Sequence, residues 1–255
     1  MTSNVIIVLV NPSHPGNMGA AARAMKNMGF EHLRLVKPQR KVNEESYARS
    51  AGAHSVLDNA EYFDDLKTAI ADCHCVMGTS ARFKVHEVRD LPLRESARVA
   101  RTIAPQQKVA ILFGREHAGL TNEELALCHY HVYIPCNPNF SSLNLAAAVQ
   151  VVCYELYVDA MERCEKRDKF DPSEFEFSYP IQTTKVALAT QQEIELLFEH
   201  LEKTLAAIDF YDRTNPRRLM PKLRGLFNRT QLLASEVAIL RGILTAMDKC
   251  RSEPR

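Results

Sequence analysis

The chain has 255 residues, a length that predicts one large domain or one domain with a smaller companion. Hydrophobic residues make up 46% of it and charged residues 25%, a balance that excludes a wholly disordered chain. No uncharged apolar run approaches the ~18 residues of a membrane span, so we expect no membrane partner. The apolar run Val5–Val10 lacks the flanks of a secretory signal, and we therefore expect a cytoplasmic location.

Charge and cysteine content restrict the chemistry further. The net charge is +1, but the six cations from Arg213 to Arg229 are interrupted by no acidic residue. This run is a local basic patch in a nearly neutral protein. The seven cysteines form no Cys-x-x-Cys pair and predict reduced thiols. The two cysteines and two histidines between Cys128 and Cys136 match no common zinc spacing, so no metal is expected.

The first 165 residues alternate strand-like and helix-like segments. Val5–Val10 and Val109–Phe113 are continuous apolar runs, as expected of strands buried on both faces of a parallel sheet. Shorter strands are predicted at Leu33–Val36, Cys73–Met77 and His131–Ile134. Helices are predicted at Met18–Met28, Asp65–Ala71, Leu93–Ile103, Thr121–Cys128 and Leu143–Arg167. This alternation predicts an α/β domain over residues 1–165, with a mostly parallel sheet.

Residues 166–182 break this rhythm, because they are charged and aromatic, contain two prolines and show no period. We interpret them as a linker. Beyond them, the capping-box spacing from Thr190 to Glu193 precedes apolar residues at helical intervals. A last amphipathic helix is predicted around Ile239–Met247. The sequence therefore predicts a small all-helical domain over residues 183–255.

Two common nucleotide-binding signatures are missing, the G-x-G-x-x-G of dinucleotide folds and the G-x-x-x-x-G-K-[ST] of NTPases. Three other polar loops follow strands instead. The first contains Asn17, a suitable N-cap for the next helix, and Gly19, where another backbone or a ligand could approach closely. Arg23 is the single long cation on this turn of small residues. Taken alone, the segment also fits a capped helix with a solvated arginine.

The second loop directly follows the predicted strand Val109–Phe113. Gly114 and Gly119 bracket it, and their backbone amides could meet a ligand. Glu116 lies between them as a hydrogen-bond acceptor. Taken alone, this loop also fits an ordinary turn between a strand and a helix.

The third loop follows Ile134, and two prolines stiffen it. Ser142 and Asn144 lie near its end, at the start of the long predicted helix. Hydroxyl and amide side chains commonly cap a helix there, so capping is the alternative interpretation of this loop.

Together the three loops resemble the motifs of the SPOUT-class RNA ribose 2′-O-methyltransferases, N-x-G-x-x-x-R, F-G-x-E-x-x-G-L and I-P-…-S-S-L-N-L, in this order and spacing. The match runs from residue 5 to about residue 160. The C-terminal extension, with Arg241–Leu244 in its last helix, resembles more specifically a bacterial branch of the family. That branch methylates the ribose of cytidine or uridine at position 32 of the tRNA anticodon loop.

The resemblance implies an α/β fold whose C-terminal part is tied into a deep trefoil knot. It also implies S-adenosylmethionine as the cofactor, and tRNA as the partner. The active site would form at a homodimer interface, where an arginine of one subunit faces the cofactor of the other. The implied cofactor-binding positions are Thr79, Ser80, Ala81, Gly114, Gly119, Ile134, Ser141, Ser142 and Leu143.

The implied catalytic positions are Arg23, Asn17, Glu116, Ser142 and Asn144. Family accounts favour the arginine as the group that activates the ribose hydroxyl. Because a guanidinium pKa normally lies above ~12, we expect Arg23 to hold the flanking phosphate and to stabilise developing alkoxide charge. Whether it also accepts the proton stays open. The candidate RNA-binding residues are Arg82, Lys84, Arg217, Arg218, Lys222 and Arg224.

Three alternatives stay open at this point. The enzyme could act on another tRNA or ribosomal RNA ribose. The fold could also serve as a non-catalytic RNA-binding module, although the intact Arg23 and Glu116 argue against this. A Rossmann oxidoreductase is the third alternative, and the missing glycine signature weakens it.

Overall fold

The computed structural model describes residues 2–81, 89–165, 187–214 and 217–252. Within these ranges seven strands form one sheet, and all of its strand pairs are parallel. The strands are β1 (Val5–Val10), β2 (His32–Val36), β3 (Glu61–Phe63), β4 (Cys75–Thr79), β5 (Arg89–Pro92), β6 (Val109–Phe113) and β7 (Tyr130–Tyr133). Their order across the sheet is β3-β2-β1-β6-β4-β7-β5. The predicted α/β fold with a parallel sheet is confirmed.

Helices cover both faces of this sheet and continue beyond it. In the described ranges they are α1 (Pro15–Asn27), α2 (Glu44–Ser50), α3 (His54–Asp58), α4 (Leu66–Ile70), α5 (Leu93–Ile103), α6 (Asn122–Leu125), α7 (Leu145–Glu165), α8 (Gln191–Ala207), α9 (Leu219–Thr230) and α10 (Ala234–Ser252). No helix among the described residues is both long and apolar enough to cross a bilayer.

The alternation of side chains along β1 divides the core into two layers. Val5, Ile7 and Leu9 face a layer formed with α1, α3, α5 and α7. The intervening Ile6 and Val8 face a second layer formed with α4 and α6. Because both faces are covered, all six residues of this strand are buried. This explains why the sequence of β1 is apolar throughout rather than alternating.

Several boundaries differ from the prediction. The strands β1 and β6 and the helix α5 have the predicted bounds. Helix α1, however, begins at Pro15 rather than Met18, and β4 extends to Thr79 rather than ending at Met77. The short elements α2, α3, β3 and β5 were not predicted. The proposed linker, residues 166–182, lies outside the described residues.

The C-terminal helices α8–α10 share a separate apolar core. Its buried residues are Ala189, Ile194, Leu197, Phe198, Val237 and Leu244. The predicted capping box of α8 is present, because Thr190 Oγ1 accepts from the backbone of Glu193 while the Glu193 carboxylate accepts from the backbone of Thr190. The helical content predicted beyond the linker is therefore present in the described residues.

Candidate active site

The sheet order brings the three polar loops to one edge. Strands β1, β6, β4 and β7 are neighbours and run in the same direction, so the loops that follow them start side by side. Ligands of open α/β sheets commonly bind at this carboxyl edge, outside the strand ends. The loops that were singled out by sequence are therefore adjacent in space.

The Glu116 carboxylate is the centre of this edge. It accepts hydrogen bonds from the backbone N and Oγ of Ser13, at 3.0 and 2.9 Å, and from the backbone N of His14 at 3.2 Å. It also accepts from Nδ2 of Asn17 at 3.1 Å. The loop after β6 is thereby joined to the loop after β1. No contact is predicted from the sequence for Ser13, because Pro12 just after the strand is the only signal beside it.

These bonds also set the charge of Glu116. Burial would raise the pKa of its carboxyl group, but the hydrogen bonds from Asn17 and Ser13 outweigh burial and lower the pKa to about 2. The carboxylate is therefore ionised near neutral pH and is a weak proton acceptor. Its geometry suits an anchor for the surrounding loops better than a general base.

Asn17 and Asn144 extend this network to the start of α7. Asn144 Nδ2 donates to Asn17 Oδ1 at 3.1 Å, and Asn144 Oδ1 accepts from the backbone N of Ala146 at 3.0 Å. Asn144 therefore caps α7, in agreement with the alternative interpretation of the third loop. The prediction that Asn17 caps α1 is wrong, because Pro15 occupies the first helical position and His14 is the N-cap. This earlier start leaves the Asn17 amide free to join Glu116 to Asn144.

An open cleft of about 270 Å³ lies over this network. Asn17, Glu116 and Asn144 line it together with Ser142, whose side chain is exposed and makes no hydrogen bond to a described residue. Two further lining residues, Ser13 and His117, carry no role predicted from the sequence. His14 also lines the cleft, at a loop position where the sequence allows either a substrate contact or a solvated side chain.

The three glycines of the first two motif loops have different surroundings. A Cβ on Gly19 would lie 2.0 Å from the backbone O of Ser46, so this glycine admits helix α2 and not a ligand. A Cβ on Gly114 would lie 2.0 Å from the backbone C of Gly119, so Gly114 allows its own loop to close. Gly119 has φ +68°, and a Cβ there would meet no atom within 4 Å. Of these three glycines, Gly119 alone has open space beside it among the described residues.

The other predicted cofactor positions lie at the ends of β4 and β7. Thr79 Oγ1 donates to the backbone O of Leu112 at 2.8 Å, so its hydroxyl joins β4 to β6. Ser80 and Ile134 are half-buried, whereas Ala81 is exposed. The positions before α7 are all exposed, and they are Ser141, Ser142 and Leu143.

Arg23 lies away from this cleft within one chain. It is exposed, its side chain forms no hydrogen bond or ion pair with a described residue, and it is not among the lining residues. Arg23 comes six residues after Asn17 and so lies on a different face of α1, in line with Gly16 and Ala20. The described chain brings together four of the five predicted catalytic residues and leaves Arg23 outside.

A bidentate ion pair fixes the loop after β6 to the next helix. The Arg115 guanidinium donates to both carboxylate oxygens of Glu124, at 2.9 Å each. Glu124 also accepts from the backbone N of Thr121, in the capping box at the start of α6. Paired backbone bonds between Arg115 and Gly119, at 3.1 and 2.9 Å, close the loop itself. The predicted site loop is therefore held at both of its ends.

The candidate RNA-binding cations differ in their surroundings. Arg217, Arg218 and Lys222 are exposed at the start of α9. The Arg224 guanidinium instead donates to the Glu195 carboxylate and lies 4.3 Å from the ring centre of Phe198. The Arg224 side chain therefore packs against α8 within the C-terminal helices. Arg82 and Lys84 lie outside the described residues.

The histidine and cysteine group near β7 has structural roles. His129 Nδ1 accepts a hydrogen bond from the backbone N of Val76 at 3.0 Å. Burial lowers the pKa of His129 to about 4, so its ring is neutral near neutral pH. The Cys128 thiol is also buried, and burial raises its pKa. Within the described ranges, no group of three or more metal-ligating side chains is present.

Profiles of known protein families match both parts of the chain. The profile of the SpoU rRNA Methylase family matches residues 4–154. The chain belongs to this family. The profile of the C-terminal domain of the tRNA methyltransferase TrmJ matches residues 192–255. The methyltransferase resemblance inferred from the three loops is confirmed, and the oxidoreductase alternative is excluded.

Individual relatives match 95–100% of this chain. The tRNA (cytidine/uridine/adenosine-2′-O-)-methyltransferase TrmJ of Pseudomonas aeruginosa (strain UCBPP-PA14) is 44% identical over 98% of this chain and 95% of its own. The tRNA (cytidine/uridine-2′-O-)-methyltransferase TrmJ of Yersinia pestis (strain Pestoides F) is 42% identical over 100% of this chain and 95% of its own. The crystal structure of TrmJ from Z. mobilis ZM4 is 31% identical, with a TM-score of 0.79 over 95% of this chain and 98% of that chain.

Proposed function

We propose that this SpoU-family protein transfers a methyl group from S-adenosylmethionine to a ribose 2′-oxygen of tRNA. The proposed target is the cytidine or uridine at position 32 of the anticodon loop. The observation that carries the proposal is the hydrogen-bonded chain from Glu116 through Asn17 to Asn144, beneath an open cleft that Ser142 lines. The names of the two curated relatives support tRNA as the substrate.

The loops at the carboxyl edge fit S-adenosylmethionine. The space beside Gly119 is open, Ile134 and Leu143 offer apolar surface, and Ser80 is only half-buried. When bound, the cofactor supplies an activated methyl group, so the protein has to contribute position and electrostatics. The residues that would hold it are Thr79, Ser80, Ala81, Gly114, Gly119, Ile134, Ser141, Ser142 and Leu143.

Each residue of the network then has a distinct task. Glu116 keeps the loops after β1 and β6 together as an acceptor that is ionised near neutral pH. Asn17 and Asn144 fix the starts of α1 and α7 relative to this anchor. Ser142, whose hydroxyl has no described partner, is free to hydrogen-bond the ribose. None of the three anchoring side chains has to accept the proton of the 2′-hydroxyl.

Arg23 is proposed to act on the cleft of a second subunit in a homodimer. Its exposure and its place outside the cleft of its own chain support this arrangement. Helix α7 also exposes four large apolar side chains that a partner could cover, and they are Val151, Tyr154, Tyr157 and Met161. In the cleft of the second subunit, Arg23 would hold the phosphate next to the target ribose and stabilise the developing alkoxide.

Subunit complementation tests this arrangement. Arg23→Ala and Asn144→Ala are each expected to abolish transfer. In a mixed dimer, one cleft combines the intact Asn144 of the first variant with the intact Arg23 of the second. Mixing the two inactive proteins after dissociation is therefore expected to restore activity in part. A mixture that forms mixed dimers and stays inactive would contradict the proposed sharing of Arg23.

The remaining organisation is proposed with the function. Residues 1–165 would form the methyltransferase domain, residues 166–182 a linker, and residues 183–255 a domain for tRNA binding and dimer support. A deep trefoil knot is proposed for the C-terminal part of the first domain. The insertion of β6 between β1 and β4, and of β7 between β4 and β5, supports a threaded chain. The substrate also favours a cytoplasmic location.

Mapping of 2′-O-methyl groups tests the proposed target. In tRNA from cells that lack the gene, we expect the modification at position 32 to be missing, and the wild-type gene to restore it. A variant with Asn144→Ala should fail to restore it. Unchanged methylation at position 32 in those cells would contradict the proposal, whereas a loss at another ribose would redirect it to that nucleotide.

A further inference from the structure

The C-terminal helices are attached to the methyltransferase region by backbone hydrogen bonds. The backbone N of Gln191 donates to the carbonyl O of Cys73 at 2.8 Å, and that of Gln192 donates to Ala71 at 3.0 Å. The free amides at the start of α8 thus meet free carbonyl groups just beyond the end of α4. Gln191 is buried at this contact. The two regions are joined by directional bonds.

Asn228 of α9 forms a second attachment. Its Nδ2 donates to the carbonyl O of Ala126 at 3.2 Å and to that of Cys128 at 3.1 Å. Its exposed fraction is only 3%. The two acceptors lie in the turn between α6 and β7, which connects the second motif loop to the strand before the third. One amide group thus links α9 to the segment between both candidate cofactor loops.

An ion-pair group also joins α4, α8 and α9. The Glu195 carboxylate of α8 binds Lys67 of α4 at 2.9 Å and also binds the Arg224 guanidinium of α9. Burial alone would raise the pKa of Glu195, but these two cations and their hydrogen bonds outweigh burial and lower it. The carboxylate therefore stays ionised, and it ties α9 to α8 and α8 to the first region.

The exposed cations of α9 lie on one face of the helix, next to the buried face. Lys222 and Arg229 are exposed and lie seven residues apart, on one face of the helix with the exposed Leu226. Gly225 and Asn228 lie on a neighbouring face and are buried. The amide of Asn228 therefore sets the rotation of α9, and so the direction in which its cations point.

We propose that Asn228 is a positioning residue for methyl transfer, which fixes the basic face of α9 relative to the catalytic cleft. The inference rests on the proposed function, because it takes RNA as the ligand of that basic face. Phosphate contacts supply most of the affinity for nucleic acid, and the Lys and Arg side chains make these contacts. Asn228 supplies the orientation with which the bound RNA reaches the cleft.

Steady-state kinetics on the full chain test this assignment. For Asn228→Ala, we expect kcat for tRNA methylation to fall about tenfold or more, with KM for tRNA within about twofold, because misplacement slows chemistry without removing phosphate contacts. Affinity for S-adenosylmethionine, measured by calorimetry, should be unchanged. Thr230→Ala is the matched control, since its hydroxyl donates to the carbonyl O of Phe227 within α9, and it should keep the wild-type kcat.

The outcomes separate this inference from the proposed function. If Asn228→Ala does not fold, Asn228→Ser, which keeps one shorter donor, is measured instead and should show a smaller loss in kcat. A folded variant with wild-type kcat, or with a change in KM alone, would overturn the positioning role and leave the proposed function intact. A wild-type protein that does not methylate tRNA would overturn both.

Discussion

Asn144 Nδ2 donates a hydrogen bond to Asn17 Oδ1 over 3.1 Å, between residues 127 positions apart in the chain. The remaining amide atoms are also used, since Asn17 Nδ2 donates to Glu116 and Asn144 Oδ1 caps α7. The pair therefore connects the first and third motif loops to the second. Replacement of either amide should therefore change the energetic contribution of the other.

A double-mutant cycle measures this coupling. Asn17→Ala and Asn144→Ala remove the same hydrogen bond, so their effects on the free energy of unfolding should not add. We expect an interaction energy of about 0.5–3 kcal/mol, the range for residues in one network. Denaturant unfolding of the two single variants and the double variant gives the value. The pair Asn27→Ala and Asn144→Ala, which share no contact, should be additive; additivity in the first cycle would contradict the network.

The pH dependence of stability should report on Glu116. Its pKa in the folded protein is about 2, below that of an unfolded glutamate. Its contribution to stability is thus complete above the unfolded pKa of about 4.3 and is lost as the pH falls toward about 2. Glu116→Gln should therefore be less stable at neutral pH and lose less stability on acidification. Glu199→Gln, at an exposed position of α8, should keep the wild-type slope, and an identical slope for Glu116→Gln would exclude the anchoring role.

The two loop glycines should respond differently to alanine. At Gly114 a Cβ would clash with the backbone of Gly119 and Leu120, so Gly114→Ala should open the loop and abolish cofactor binding. At Gly119 the space is free and only the left-handed backbone is strained, at a cost of about 1–2 kcal/mol. Gly119→Asn, which tolerates this conformation, should be milder. Calorimetry with S-adenosylmethionine and thermal unfolding would show whether this order holds or is reversed.

The cations of α9 should divide into two classes. Replacement of Arg217, Arg218 and Lys222 by alanine should weaken tRNA binding. The slope of log affinity against log salt concentration should also become shallower, by roughly 0.7–0.9 for each lost phosphate contact. Arg224→Ala should instead lower thermal stability, because it leaves Glu195 with one cation fewer. Binding titrations at several salt concentrations distinguish the classes. An unchanged affinity in the triple variant would point to the segment with Arg82 and Lys84.

The elements predicted correctly from the sequence have strong local signals. Strands β1 and β6 are continuous apolar runs, and α6 and α8 begin with capping boxes. Strand β3 lacks such a signal, since its three residues lie at the sheet edge and remain largely exposed. Helix α2 was missed for a similar reason, because its seven residues contain few apolar side chains and its stability depends on packing against α1.

The sequence predicts which residues form the site better than it predicts which of their atoms are in contact. The three motifs identified Asn17, Glu116 and Asn144, but a motif does not say which atoms meet. The prediction of Asn17 as a cap is wrong because Pro15 occupies the first helical position and moves the helix start back to His14. Arg224 was grouped with the exposed cations because charge in the sequence does not reveal the inward partner Glu195. Such long-range partners depend on the tertiary fold.

The central claim is tested most directly by removing one oxygen atom from the substrate. Purified protein would be incubated with radiolabelled S-adenosylmethionine and a tRNA that carries cytidine or uridine at position 32. The matched tRNA would have a 2′-deoxynucleotide at that position alone. We predict that label enters the first tRNA and not the second. Equal labelling of both would contradict ribose methylation at position 32.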